Sequence, residues 1–290
     1  MQRLKDNIVL VTGASRNVGR GIALVLGEEG ATVYITGRSM RNNQTSATPG
    51  ANIEDTADRV AELGGKGIPV CCDHNIDAEI QYVFKKIEEE QGRIDILVNN
   101  AWGGYETIEK KDGQADWEEW MAPFWEQPVS RWDAMFNVGV RSHMVASRCA
   151  IPLMLDKKEG MIFNTTYDVE SSGFPVNTFY WLAKIALNKM TYRLASELRE
   201  HNISVIGISP GWVRTDDLLY EHRTDDINAH KIDTLQGSES TQFAGRAVVA
   251  LATDPRVIEK SGKTLKTRAL GLEYGFKDID GVQPPLEEYN

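Results

Sequence analysis

Ile8-Val9-Leu10-Val11-Thr12-Gly13, followed by Ala14-Ser15-Arg16-Asn17-Val18-Gly19-Arg20-Gly21-Ile22-Ala23, is the stretch whose reading decides the fold. A short apolar run breaks at a glycine, turns through small and polar residues, and resumes with helix-compatible apolar residues after Gly21. That order reads as strand, tight turn and helix, the phosphate-holding unit of a dinucleotide fold. Gly13 permits the turn, Gly19 lets backbone pass close to a pyrophosphate, and Gly21 lets the helix pack closely on the sheet.

Outward from this unit the chain alternates strand and helix patterns. A helix over 18–29 precedes a strand over 31–36, and a helix over 53–63 precedes a strand over 68–73. Helical periodicity through Ile80, Val83, Phe84 and Ile87 leads to a strand ending in Asn99-Asn100-Ala101. Further strands are expected at 161–166, at 203–208 and from Gly262. This is an α/β chain with a Rossmann-like doubly wound parallel sheet, read as a single domain over 1–290 with an inserted cleft segment and a C-terminal extension. The insertion, 102–129, carries Trp117, Trp120, Phe124 and Trp125. It reads either as a wall of a substrate cleft or as a helical hairpin with its own small core, and both roles are compatible. Apolar spacing after Ser130 then supports a long buried helix holding Asn137, whose amide needs a task such as holding a water or accommodating a helix defect.

Composition narrows the function. A formal charge of −10 opposes a nonspecific nucleic-acid surface. Three cysteines without a paired pattern point to a reducing compartment, and a cytoplasmic location is expected. No run is long and apolar enough to span a bilayer, although peripheral membrane association is compatible with the sequence. No metal-ligand set is read from the chain.

Several side chains sit where chemistry would need them. Gly37 and Arg38 follow the second strand, where an acid would accept from the ribose hydroxyls of NAD and a cation would suit the 2′-phosphate of NADP. With Arg16 as a second clamp, NADP(H) is expected over NAD(H), the alternative being two solvated arginines. Asp73 either accepts from an adenine amino group or caps the next turn. Tyr180 and Lys184 share a helix face four residues apart, a spacing that lets an ammonium favour tyrosinate and so lets the phenol exchange a proton with a carbonyl oxygen. Ser209-Pro210-Gly211-Trp212-Val213-Arg214-Thr215 forms a strand-end turn suited to a nicotinamide amide.

Together, the Thr12 to Gly21 turn, Asn99-Asn100-Ala101, Asn137, Tyr180 with Lys184, and Pro210-Gly211 resemble the short-chain dehydrogenase/reductase superfamily of classical type. The resemblance covers nearly the whole chain. It implies Tyr180 as proton donor, Lys184 as its pKa-lowering neighbour and ribose ligand, and Asn137 as holder of a water. It places Asn99 beside the cofactor and implies a cofactor site of Gly13, Ser15, Arg16, Asn17, Val18, Gly19, Arg38, Asp73, Asn99, Ala101, Tyr180, Lys184, Pro210, Gly211, Val213 and Thr215. The strand-end serine expected of the family is absent. Counting from Gly160 and from Tyr180 both put Tyr167 there, with Thr166 the other candidate if the strand end bulges.

The implied activity is NADPH-dependent reduction of an aldehyde or ketone, with a small, flat and apolar carbonyl or alcohol as substrate. The alternatives are an enoyl reductase and an NADP(H)-binding interaction or regulatory protein that has lost catalysis. A homodimer or homotetramer is expected from the helices around Asn137 and Tyr180.

Overall fold

The computed structural model describes residues 2–45, 48–108, 110–111, 114–170 and 177–286. Seven strands form its central sheet: β1 (Ile8–Val11), β2 (Thr32–Gly37), β3 (Lys66–Cys71), β4 (Ile96–Asn99), β5 (Gly160–Thr165), β6 (Ile203–Ser209) and β7 (Thr264–Lys266). They lie in the order β7-β6-β5-β4-β1-β2-β3, each pair parallel. The direction of winding reverses between β1 and β4. In an open parallel sheet, the crevice outside the strand ends at such a point is where ligands bind.

The helices are α1 (Asn17–Glu28), α2 (Ile53–Glu62), α3 (Asp77–Gln91), α4 (Trp117–Trp120), α5 (Ser130–Phe136), α6 (Ser142–Lys157), α7 (Thr178–Leu198), α8 (Asp216–Glu221), α9 (Thr241–Ala252) and α10 (Thr267–Tyr274). Alternation along β1 explains why both faces of the sheet need cover. Val9 and Val11 join a core with Ile22 and Leu26 of α1, Val60 of α2 and Val248 of α9. Ile8 and Leu10 join a second core with Phe84 of α3, Ala150 of α6 and Leu198 of α7. Burial on both faces is why β1 reads as an unbroken apolar run. Gly21 is required by a backbone contact rather than by the sheet, because a Cβ there would stand 2.3 Å from the carbonyl carbon of Thr241, at the start of α9.

The segment read as one long buried helix after Ser130 is three pieces: α5, a π-helical turn over Asn137–Arg141, and α6. Ser142 N donates to Asn137 O across the widened turn. The turn forms where Trp102 lies on Gly139, so closely that a Cβ there would be 2.4 Å from the indole. The insertion contains a 3₁₀ turn (Gly104–Thr107), a short antiparallel ribbon and α4. Its core of Trp120, Met135 and Ala183 is bordered by Trp102, Phe179 and Tyr180, so the insertion packs on the start of α7. Among the described residues no helix is long and apolar enough to cross a membrane.

Candidate active site

The turn between β1 and α1 lies at the crevice and is held there by β4. Thr12 Oγ1 accepts from the backbone N–H groups of Asn100 (2.8 Å) and Ala101 (3.0 Å), while Asn100 Nδ2 donates to Thr12 O (3.0 Å) and Gly13 O (3.1 Å). Two residues take left-handed backbone, Gly13 at φ 64° and Asn17 at φ 53°. Asparagine is among the few side chains that tolerate this region, a second reason for Asn17 beyond its place in the motif. A Cβ on Gly19 would lie 2.4 Å from Gly13 O, so the turn closes to bare backbone there.

The N-cap residue of α1, Arg16, makes no side-chain cap bond of its own. A carboxylate sits on its first N–H instead. Asn17 N donates to Asp216 Oδ2 (2.7 Å), Asn17 Nδ2 donates to Asp217 Oδ2 (2.8 Å), and Arg16 Nε stands 3.2 Å from the same Asp217 oxygen. Burial raises the pKa of Asp216. Asn17 N, Asn17 Nδ2 and Arg16 Nε are donors to anionic oxygen here, the kind that the diphosphate of a dinucleotide would take in place of these carboxylates.

At the adenosine end, Arg38 Nη2 is paired with Glu106 Oε1 at 2.5 Å, and this contact raises the arginine pKa. Asp73 Oδ1 accepts from Asn75 N (2.9 Å) and Nδ2 (3.0 Å), so Asp73 caps the turn after β3. Asn99 departs from expectation. It is fully buried and faces helix α6 rather than the crevice, its Nδ2 donating to Ser147 Oγ and Asn164 Oδ1, both at 3.0 Å. Its neighbour Asn100 does the work at the turn.

The tyrosines gather over the ends of β4 and β5. Tyr167 and Tyr180 have ring centroids 6.4 Å apart, whereas Thr166 turns away, with Oγ1 donating to Asn188 Oδ1 (2.8 Å) on α7. Strand alternation therefore holds to the end of β5 without a bulge, with Asn188 Nδ2 fastening Tyr167 O (3.1 Å). Thr165 lies on the Tyr167 face, its hydroxyl buried without a hydrogen bond. Lys184 is 7% exposed, and burial pulls its pKa down to about 7. Its Nζ sits 3.9 Å from the centroid of the Trp102 ring and 5.2 Å from that of Tyr180. The indole face favours the ammonium that burial disfavours. Asn137, expected to be buried, is exposed.

On the far side, Gly211 N donates to Glu239 Oε1 (2.9 Å), which fixes the Pro210-Gly211 turn. Glu239 is fully buried and its pKa rises to about 7 through that burial. Val213 pairs with Glu239 in a two-stranded parallel ribbon, and Thr215 Oγ1 caps α8 by accepting from Leu218 N (3.3 Å). Ser15 lies beside Gly37 at the end of β2, and Val18 packs on the core.

Trp102, Tyr105, Asn177 and Asn188 are site residues that pattern reading missed. Asn177 Oδ1 caps α7 by accepting from Phe179 N (2.9 Å) and Tyr180 N (3.2 Å), while its Nδ2 donates to Trp120 O (2.8 Å) in the insertion. An asparagine immediately before the start of a helical pattern signals a cap. Nothing local signals its second bond.

Residues 7–225 match the model of the short chain dehydrogenase family. The chain is 36% identical over 293 residues to "Dehydrogenase/reductase SDR family member 1" of Homo sapiens, a match covering 99% of this chain and 87% of that one. It is 29% identical over 213 residues to a 3-oxoacyl-acyl-carrier-protein reductase of Thermotoga maritima, covering 73% and 76%. Among solved structures, a 7α-hydroxysteroid dehydrogenase complexed with NADH and 7-oxo glycochenodeoxycholic acid shares the fold at a TM-score of 0.70 and 23% identity, over 97% of this chain and 96% of that one. A hydroxysteroid dehydrogenase from Escherichia coli does so at 0.69 and 24% identity, over 91% and 96%.

The expected preference for NADP(H) is corrected by these findings. The similar fold just described carries NADH. Here, moreover, the two arginines read as a clamp for a 2′-phosphate are engaged by Glu106 and Asp217, acids that would repel the phosphate they were to bind.

Proposed function

The chain belongs to the short-chain dehydrogenase family and is an oxidoreductase acting on a small substrate, and from that premise we propose that it reduces an aldehyde or ketone with NADH, Tyr180 delivering the proton. The observation that carries this reading is the meeting of Tyr180, Lys184 and Tyr167 beside a turn that already grips carboxylate oxygens. The bound cofactor would supply the hydride.

The protein's residues would do the rest. Gly13, Asn17 and Gly19 present backbone to the diphosphate, and the Pro210-Gly211 turn, held by Glu239, faces the nicotinamide amide. Lys184, when charged, stabilises tyrosinate as Tyr180 gives its proton to the carbonyl oxygen. The Tyr167 hydroxyl is the candidate for the second hydrogen bond to that oxygen, because Thr166 is committed to Asn188. Asn137, at the π-helical turn, is left to hold a water at the exposed end of the cleft. Trp102 and Tyr105 offer an aromatic wall that suits a flat apolar substrate, and the same machinery run backwards oxidises the alcohol.

Assembly as a homodimer or homotetramer is part of the reading, supported by Met144 on α6 and Trp181, Leu182 and Tyr192 on α7, all exposed. A concentration-independent monomer in sedimentation equilibrium would contradict it.

The experiment follows NADH oxidation across a panel of aldehydes, quinones, diketones and steroids. Turnover on a carbonyl is the expected outcome. NADH binding with no turnover anywhere on the panel would sink the catalytic reading and leave a binding protein.

A further inference from the structure

The first two residues of α8 clasp the turn between β1 and α1. Asp216 Oδ2 accepts from Asn17 N at 2.7 Å, at the start of α1. Asp217 reaches both sides of the turn. Its Oδ2 accepts from Asn17 Nδ2 (2.8 Å) and lies 3.2 Å from Arg16 Nε, while its Oδ1 accepts from Thr48 Oγ1 (2.6 Å), in the segment between β2 and α2. Asn17 answers through its side-chain oxygen, which accepts from Asp217 N at 3.3 Å. Hydrogen bonds to an ionised carboxylate are stronger than neutral ones, and a helix N-terminus favours the negative charge.

The segment that carries these acids is fastened at its root. Arg214 is buried there, its Nη1 donating to Ser238 O (2.7 Å), its Nε paired with Asp226 (2.9 Å) and its Nη2 with Asp278 (3.2 Å). Val213 and Arg214 also pair with Glu239 and Ser240 in the parallel ribbon. Beyond that root the hold is slighter. None of the six residues of α8 is fully buried. A segment with so few buried apolar contacts opens at low cost in free energy, so the polar contacts of its first two residues carry much of its hold on the turn.

We propose that Asp216 and Asp217 set the cofactor affinity of this protein by competing with the cofactor's diphosphate for the same donors. The inference rests on the dinucleotide reading of the turn. A backbone amide has a single hydrogen, so Asn17 N cannot serve Asp216 and a phosphate oxygen fully at once. A carboxylate and a phosphate held side by side also repel each other. Seating the diphosphate therefore exchanges one set of anionic oxygens for another, with α8 turning away about the root at Arg214. The apparent affinity is the intrinsic affinity reduced by the fraction of chains whose clasp is open. Oxidised and reduced cofactor share the diphosphate, so the clasp weakens both and favours release of the spent form.

The test is the double variant Asp216→Asn with Asp217→Asn, which keeps the side-chain size and removes both charges. Calorimetric titration with NADH should show binding about tenfold or more tighter than in the parent. Inorganic pyrophosphate, titrated alone, should gain by a similar factor, since the contest lies at the diphosphate. Thr48→Val removes a partner of Asp217, leaves both acids in place, and should tighten both ligands by a smaller factor. Glu221→Gln takes one charge from the exposed end of the same helix and should leave both affinities unchanged. Equal pyrophosphate affinity in the parent and the double variant overturns the proposal. Weaker binding overturns it too, because the acids would then hold the ligand rather than oppose it. So does a Glu221→Gln gain as large as that of the double variant, which would show general repulsion in place of an exchange at the turn. Failure of NADH to bind any of these proteins, with pyrophosphate in the expected order, removes the dinucleotide reading and leaves the exchange of anions at the turn standing.

Discussion

At the turn between β1 and α1, Gly13, Asn17 and Gly19 present backbone, while at the tyrosine cluster Tyr105, Tyr167 and Tyr180 bring together rings from three separate segments. The first kind of site fails when an atom is added. The second fails when one is removed or displaced. Substitutions that respect this division should therefore separate cofactor binding from turnover, and substitutions that ignore it should not.

Gly19→Ala is the severest test on the backbone side. Its Cβ would meet Gly13 O and Asn100 Nδ2 at 2.4 Å each, and overpacking of this sort costs about 1–3 kcal/mol. NADH affinity should drop by roughly 10- to 100-fold in a fluorescence titration. Asn177→Ala is the counterpart at the tyrosine end. Loss of the cap should cost about 1 kcal/mol in urea unfolding. Turnover should fall about tenfold as Tyr180 and the insertion lose their common tie, with NADH binding retained. If cofactor affinity falls as far as turnover, the two ends are not independent.

A pH experiment probes the same cluster. Burial brings Lys184 from 10.5 to about 7 in the folded protein, so between those values the unfolded chain holds a proton that the folded chain has released. Stability should then rise with pH across that window, by up to about 1.4 kcal/mol per unit from this group. Urea unfolding at several pH values should show that component in the parent and its loss in Lys184→Met. A window narrowed from its lower end would measure how far Trp102 favours the ammonium. The smallest effect is expected of Glu106→Gln. Its ion pair with Arg38 is largely exposed, and such pairs contribute about 0–1 kcal/mol, so thermal unfolding should barely change.

The division between the two ends also explains what could be read before any coordinates. The turn is local, its glycines spaced by the geometry of strand, turn and helix. Tyr180 and Lys184 are local too, one helical turn apart. Tyr167 is legible from its distance to Gly160 and Tyr180, and the intact alternation of β5 turns it toward Tyr180 and Thr166 away. Asn137 stands exposed at the first residue of a π-helical turn, a break in the 3.6-residue period that apolar spacing does not announce. The pairs Glu106–Arg38, Asp216–Asn17 and Asn177–Trp120 join segments far apart in the chain, and no periodicity announces which acid will meet which donor. The expectation of NADP(H) fails for that reason. Arg38 and Arg16 were legible as cations, but the carboxylates that engage them were not.

The central claim is that one protein couples a backbone-built dinucleotide turn to a proton-donating tyrosine, and Tyr180→Phe examines both halves at once. NADH affinity and carbonyl turnover are measured on the parent and on this variant, once a substrate is in hand. The account predicts unchanged NADH affinity and a loss of turnover of roughly 10²- to 10⁴-fold, the range for removing a positioned general acid. Turnover within a few-fold of the parent would contradict it.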